Sequence, residues 1–261
     1  MSAGVTTIED TGGLGPITVE VPVARQTITP ASRMAVAAIG HNSRMLSRRG
    51  VDWGSGTGLL AVGAARIPVV EHVVGLELDA SDVPIAEANA ARNGVAGKTT
   101  FIHADSYSAV DPGQQGTIDA LRGDAAFLIA NPPASRTGDG LDWRREALRG
   151  GRDFLAAGAP VLMQISYQYG GARIEGLADD VPGYRYEGLA GSSEWIPFDQ
   201  RRADLSRQMV EYARVEAAGG LDYTFSNGHG GHLSATEALA RYEQTGESPL
   251  SKWQLHRYRR V

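Results

Sequence analysis

Asn131-Pro132-Pro133 ends an unbroken apolar run and is a set of hydrogen-bond acceptors held in place before any substrate arrives. The Asn131 amide oxygen and the Pro132 carbonyl can each accept from an N–H₂ group and orient its lone pair, and proline fixes φ so that the acceptors keep their positions. Upstream, Gly54, Gly56 and Gly58 punctuate Val51-Asp52-Trp53-Gly54-Ser55-Gly56-Thr57-Gly58. Without Cβ atoms there, backbone N–H groups can approach a ligand closely. The spacing differs from the dinucleotide fingerprint G-x-G-x-x-G, whose third glycine would fall where Leu59 stands. Acids recur at element ends: Asp52 before the glycines, Glu77 or Asp79 next, then Asp105 followed by Ser106. Taken alone, each acid reads as a helix cap or a solvated charge, and Asn-Pro as an ordinary strand-ending turn. Three acids at three successive strand ends, roughly 25–30 residues apart, form a much rarer pattern. A second candidate group is Asn227-Gly228-His229-Gly230-Gly231-His232. His229 and His232 could serve as a general base, as metal ligands, or simply lie in solvent. No third ligand is grouped with them, which disfavours a metal. A base is needed where the acceptor is a hydroxyl or a carbon that must lose a proton.

These residues need elements to hold them. Val51–Trp53 reads as a short strand, Leu59–Arg66 as a helix, Val73–Asp79 as a buried strand and Ser81–Asn93 as a helix. Thr99–Asp105 is β-branched and aromatic, and Ala125–Ala130 is the continuous apolar run of a central parallel strand. Alternation of this kind predicts an α/β fold with a mostly parallel, doubly wound sheet. In such a sheet a carboxylate at the tip of the second strand lies beside the first glycine turn and can accept from both hydroxyls of a ribose. Residues 1–15 read as a flexible arm, and Ile17–Val23 alternates as an added strand. Thr29 reads as the N-cap of the helix Arg33–Ile39, with Pro30 at its first position. Val181–Leu189 and Gln208–Val215 are predicted to close the sheet as an antiparallel hairpin. Ser192–Arg202 reads as a substrate-recognition loop, and Ser234–Glu237 matches a capping box. The chain then divides into an N-terminal arm and strand (1–30), a main domain (31–218) and a C-terminal loop and helix extension (219–261).

An acid two positions before G-x-G-x-G resembles the first motif of class I S-adenosylmethionine (SAM) methyltransferases. Asn131-Pro132-Pro133-Ala134 resembles the (N/D)-P-P-(Y/F/W) motif of amino-methyltransferases acting on adenine, glutamine amides or guanine. Asp139-Gly140-Leu141 with Arg145, followed by Gly158 before a fifth strand, is similar to the HemK/PrmC protein-glutamine methyltransferases. The resemblance spans about residues 50–167. It implies a Rossmann-like sheet of seven strands, SAM as cofactor, and a SAM-dependent methyltransferase domain over 31–218. It places Asp52, Gly54, Ser55, Gly56 and Gly58 around the methionine portion. Glu77, its register set by Ala86 and Asn89, lies at the ribose with Leu78 beside it, and Asp79 caps the next helix. Asp105 and Ser106 lie at the adenine, Asn131 and Pro132 orient the acceptor, and no metal takes part. In related enzymes the segment carrying Thr29 and Ser32 folds over the cofactor.

Two departures shape the expected substrate. Ala134 stands where the family has an aromatic residue, so a flat acceptor loses ~1–3 kcal/mol of stacking unless Trp53, Trp143, Tyr167, Tyr169 or Trp195 replaces it. Residues 1–50 are too few for the helical domain that precedes the catalytic one in release-factor enzymes. Both favour methyl transfer to a small molecule, at nitrogen, oxygen or carbon, in natural-product metabolism, with proton loss to a base where the acceptor requires it. The alternatives are a protein-glutamine or nucleobase amino-methyltransferase and, in a different class, a non-catalytic SAM-binding regulator, which would not require Asn131-Pro132-Pro133. The 261 residues carry a formal charge of −5 and no cysteine. The charge argues against bulk nucleic-acid binding, and the absence of a targeting or spanning segment suits a cytoplasmic enzyme. Arg48-Arg49, Arg201-Arg202 and Arg257–Arg260 read as solvated surface. Oligomeric state is not legible.

Overall fold

The computed structural model describes residues 4–22, 28–135 and 138–261. In chain order its elements begin with strands β1 (Gly4–Ile8) and β2 (Ile17–Val21), helix α1 (Pro30–His41), β3 (Arg48–Trp53), α2 (Leu59–Ala65), β4 (Val70–Glu77), α3 (Val83–Arg92) and β5 (Thr99–Asp105). Next come β6 (Ser108–Ala109), α4 (Gln115–Asp119), β7 (Phe127–Ala130), α5 (Asp142–Phe154), β8 (Pro160–Gln164), α6 (Gly171–Asp180) and β9 (Tyr184–Ser192). The chain ends with β10 (Ile196–Pro197), α7 (Ala203–Ala217), β11 (Phe225–Ser226), β12 (His232–Leu233), α8 (Ala235–Thr245), β13 (Leu250–Ser251) and β14 (Gln254–Arg260).

The central sheet runs β6-β5-β4-β3-β7-β8-β14-β9. Strands β3, β4, β5, β7 and β8 pair in parallel, whereas β14 pairs antiparallel with both β8 and β9. From β3 the chain winds outward to β4 and β5, then returns to β7 on the other side of β3, so the strand order reverses at β3/β7. Ligands of doubly wound sheets bind in the crevice at such a reversal, beyond the carboxyl ends of the strands. Register sets the geometry there: Trp53 pairs with Leu76 on one side and Ala130 on the other. Gly54, Glu77 and Asn131 therefore leave three adjacent strands at the same level.

Residues 1–15 were expected as a flexible arm and Ile17–Val23 as a strand added to the sheet. Instead, β1 and β2 form a separate antiparallel hairpin. The cause is burial. All seven residues of α2 are buried, leaving an apolar face away from the sheet that Ile8, Ile17, Val19 and Val21 cover. Two amides of α3 tie the hairpin down: Asn89 Oδ1 accepts from Glu20 N (2.7 Å) and Asn93 Oδ1 from Thr18 N (3.0 Å). Of Val181–Leu189, expected as a strand, residues 184–189 do form part of β9, but Gln208–Val215 lies inside α7. Leu205, Met209, Tyr212 and Ala213 are its buried positions, a helical spacing. The partner of β9 is β14, drawn from the 219–261 stretch. Its arginines are not free in solvent: Arg257 and Arg259, with Arg185, converge on Glu187.

Between β9 and β14 the chain builds a cover from α7, α8 and a four-stranded sheet in the order β10-β13-β11-β12. Phe198, expected in an exposed recognition loop, is fully buried there against Phe225 (ring centroids 5.3 Å apart) and Trp253 (6.1 Å). The Ser234 capping box of α8 forms as expected. Burial works against ionisation of Glu216, but the N–H groups of Ala235, Thr236 and Tyr223 outweigh it and hold its carboxyl below the usual range. Among the described residues, no helix is long and apolar enough to cross a membrane.

Candidate active site

Beyond the ends of β3, β4 and β5 lies a cavity of ≈ 460 Å³. Gly54 and Gly56 line it, with φ of +68° and +54°, and a Cβ on either would meet nothing within 4 Å. The turn thus presents bare backbone to open space. Gly58 has a different reason to be glycine. Its φ is +81° and a Cβ would lie 2.9 Å from the Phe101 ring and 3.0 Å from Ala86, so it permits close packing of α2 and does not line the cavity. Ser55 is also buried outside the lining, its N–H bonded to the Leu76 carbonyl.

Glu77, Leu78, Asp105 and Ser106 line the cavity, as expected. Glu77 Oε2 accepts from Gly56 N (2.6 Å) and Oε1 from Asp79 N (2.8 Å). Each oxygen retains a lone pair for a hydroxyl donor. Asp79 does not cap α3: Oδ1 accepts from Ser81 N (2.9 Å) and Oγ (2.6 Å), a local turn, while Asp82 occupies the cap position. Ser106 Oγ accepts from Trp53 Nε1 (3.1 Å), holding that indole in place. Trp53 and the exposed Trp143 belong to this cavity and do not stand in for the aromatic missing at Ala134.

Asp52 lies beneath the glycine turn and is not on the cavity surface. It is buried, Oδ2 accepts from Ala61 N in the first turn of α2 (2.8 Å), and Oδ1 has no partner among the described residues. Desolvation pushes its carboxyl up to about 7; the Ala61 N–H opposes this and the Glu77 charge reinforces it.

A second cavity, ≈ 270 Å³, adjoins the first. Pro133 lines both and forms their shared wall. Asn131, Pro132, Thr29 and Ser32 contribute one side; α7 and Trp253 cover the other. Thr29 caps α1 as expected, its Oγ1 accepting from Ser32 N (3.1 Å). Asn131 Nδ2 donates to Ser32 Oγ (2.9 Å), which lies 3.0 Å from Thr29 Oγ1. This chain fixes the amide so that Oδ1 is left as its acceptor atom. The Pro132 carbonyl, expected to accept from substrate, already accepts from Arg144 Nη2 (3.0 Å), and the Pro133 carbonyl from Arg144 Nη1 (3.2 Å). A guanidinium bond draws electron density from these oxygens, making them poorer acceptors for a substrate N–H.

Tyr169 is the proposed aromatic that does line the second cavity, joined by Trp253. Tyr167 and Trp195 instead pack on each other (4.9 Å). His229 and His232 line neither cavity. His229 borders a surface cleft with Asn227 and Arg241, and its N–H is bonded to Asn227 Oδ1 (2.8 Å). The structure does not bring either histidine to Asn131. Among the described residues no group of three or more His, Cys, Asp or Glu is placed to hold a metal. Sequence reasoning missed Ser32 as a partner of Asn131, Pro133 as a wall and Arg144 as its anchor. The family pattern D-G-L-x-x-x-R points to its neighbour Arg145, so no signal singled out Arg144.

Residues 23–168, more than half of the chain, match the model of the methyltransferase small domain. A ribosomal protein L11 methyltransferase of Dechloromonas aromatica is 45% identical over 82 residues, 31% of this chain and 24% of that protein. Its counterpart in Rhodopseudomonas palustris is 34% identical over 82 residues, 31% of this chain and 26% of that protein. The match thus spans about a quarter of these relatives' length. In fold, the chain is similar to the PH0793 protein of Pyrococcus horikoshii (TM-score 0.53, 13% identity, 99% of this chain and 73% of that one). It is also similar to YcgJ of Bacillus subtilis (TM-score 0.50, 15% identity, 86% and 98%). A glycine turn facing open space, a carboxylate able to take two hydroxyls, and indole and carboxylate walls suit an adenosyl group with an amino-acid tail. The chain belongs to the methyltransferase small domain family, enzymes of the class I fold that use S-adenosylmethionine.

Proposed function

We propose that the protein transfers a methyl group from SAM to a small-molecule acceptor in the cavity behind Asn131. The observation that carries this reading is the pair of cavities sharing Pro133, with Asn131 locked by Ser32 on the acceptor side. Bound in the larger cavity, SAM supplies an electrophilic methyl group. In this reading Gly54 and Gly56 receive its methionine portion, Glu77 the ribose, and Asp105 with Trp53 and Trp143 the adenine. Asp52 acts from below by holding α2 against the glycine turn. Asn131 Oδ1 accepts from the acceptor and aligns it, and alignment is worth up to ~7–11 kcal/mol in favourable cases. The acceptor cavity is small, ≈ 270 Å³, with α7 residues and Trp253 among its walls, which supports a small molecule over a folded macromolecule. The Asn-Pro-Pro sequence supports a HemK-like branch, and the setting proposed is cytoplasmic.

The local identity to ribosomal protein L11 methyltransferases favours a second reading, methylation of a protein. Incubating extract with methyl-labelled SAM separates the two, because the label enters either the small-molecule or the protein fraction. Asn131→Ala should abolish transfer while S-adenosylhomocysteine binding stays within a few-fold of wild type. Undiminished transfer by that variant would refute the assignment.

A further inference from the structure

Arg144 is 2% exposed, and each of its bonds goes to a neutral oxygen. Nε donates to the Gln164 carbonyl (2.9 Å) and Nη2 to Gln164 Oε1 (3.2 Å) and the Pro132 carbonyl (3.0 Å). Nη1 donates to the Pro133 carbonyl (3.2 Å) and, at 3.5 Å, to that of Gly140. Among the described residues Arg144 forms no ion pair. The field of Asp139 reaches it, but that carboxylate is gripped by Arg145 (Nη1 to Oδ1, 2.7 Å). Holding carbonyl groups requires N–H donors and no charge, whereas burying an uncompensated charge costs several kcal/mol. Arg144 also lines the acceptor cavity. The other charged groups on its wall, Arg202 and Asp204, neutralise one another (2.7 Å), so the described lining carries one net positive charge. A cavity walled by a buried cation is poorly matched to an ammonium, or to an amine that gains positive charge as it is methylated, unless an anionic group on the same molecule compensates it.

We propose that the acceptor carries an anionic group, such as a carboxylate, attracted by the Arg144 guanidinium, in addition to the N–H or O–H that Asn131 Oδ1 accepts. This rests on the methyl-transfer reading and names the substrate class of the same cavity. Benzoate and benzamide, matched in size and differing in charge, provide the probe. Titrated calorimetrically into protein loaded with S-adenosylhomocysteine, benzoate should bind about tenfold or more tightly than benzamide. Arg144→Lys, which keeps the charge, should retain that preference; Arg144→Gln, which keeps donors only, should lose it, with S-adenosylhomocysteine affinity unchanged in both. Equal binding of the two probes, no benzoate binding at millimolar concentration, or a preference surviving in Arg144→Gln would overturn the proposal. Should Arg144→Gln fail to fold, the wild-type ratio alone decides. Failure of wild type to bind S-adenosylhomocysteine would count against the methyl-transfer reading instead, and the benzoate-to-benzamide ratio of the cofactor-free protein would still judge this one.

Discussion

Asp52→Asn measures the electrostatic cost of the carboxyl buried under the glycine turn. The unfolded group titrates near 3.8 and the folded one near 7, so between those values the folded protein binds the extra proton. A raised carboxyl value means that its favourable contribution is complete at low pH and is lost as pH rises through about 7. A shift of about three units at ~1.36 kcal/mol each gives a loss of up to about 4 kcal/mol by pH 8. The asparagine does not titrate. Its Oδ1 can retain the Ala61 N–H, while its Nδ2 enters the place where Oδ1 has no partner among the described residues, at ~1–3 kcal/mol independent of pH. The variant should therefore be less stable than wild type at pH 4 and more stable at pH 8. Urea unfolding across that range, with equal m-values for both proteins, gives the difference directly, and contributions from other groups cancel in it. A difference that does not change with pH would refute the reasoning.

Gly58→Ala should cost about 2–5 kcal/mol in urea unfolding, from a left-handed backbone and contact with Phe101 and Ala86. Gly54→Ala should cost only ~1–2 kcal/mol and show its main effect as weaker S-adenosylhomocysteine binding by calorimetry. Trp143→Ala, at a residue 44% exposed on the cofactor cavity, should weaken that binding by ~1–3 kcal/mol without lowering the melting temperature. Ser32→Ala frees the Asn131 amide to turn, and at ~1 kcal/mol for the lost bond kcat should fall by about fivefold with cofactor affinity unchanged. Replacing both His229 and His232 with Ala should leave turnover unchanged at every pH measured, since neither lines the paired cavities.

The parallel strands were legible because buried strands read as apolar runs, and because Asp52, Glu77, Asp105 and Asn131 mark their carboxyl ends. That sheet order brings these ends together is a property of the fold class, so the cofactor side could be reached from sequence. The acceptor side could not. Its cover comes from α7, whose Val210, Tyr212 and Val215 are strand-favouring residue types that pass for a strand until Leu205 is counted in the pattern. β14 was hidden by its charge. Arg257, Arg259 and Arg260 suggested solvent, while Leu255, His256 and Tyr258 of the same strand are buried. The hydrogen bond from Asn131 to Ser32 joins residues 99 apart, and no local pattern announces it.

The position of β14 has a consequence for how the molecule is made. This strand lies inside the sheet, between β8 and β9, yet it leaves the ribosome only after the whole cover that separates it from β9. Until it arrives, β8 and β9 each expose an unpaired backbone edge, the kind of surface that invites pairing with another chain. The same late residues bring Trp253 to the substrate chamber. The nascent chain therefore acquires the β8-β14-β9 pairing and the Trp253 wall of the chamber in one step, after every residue of the cover has been synthesised.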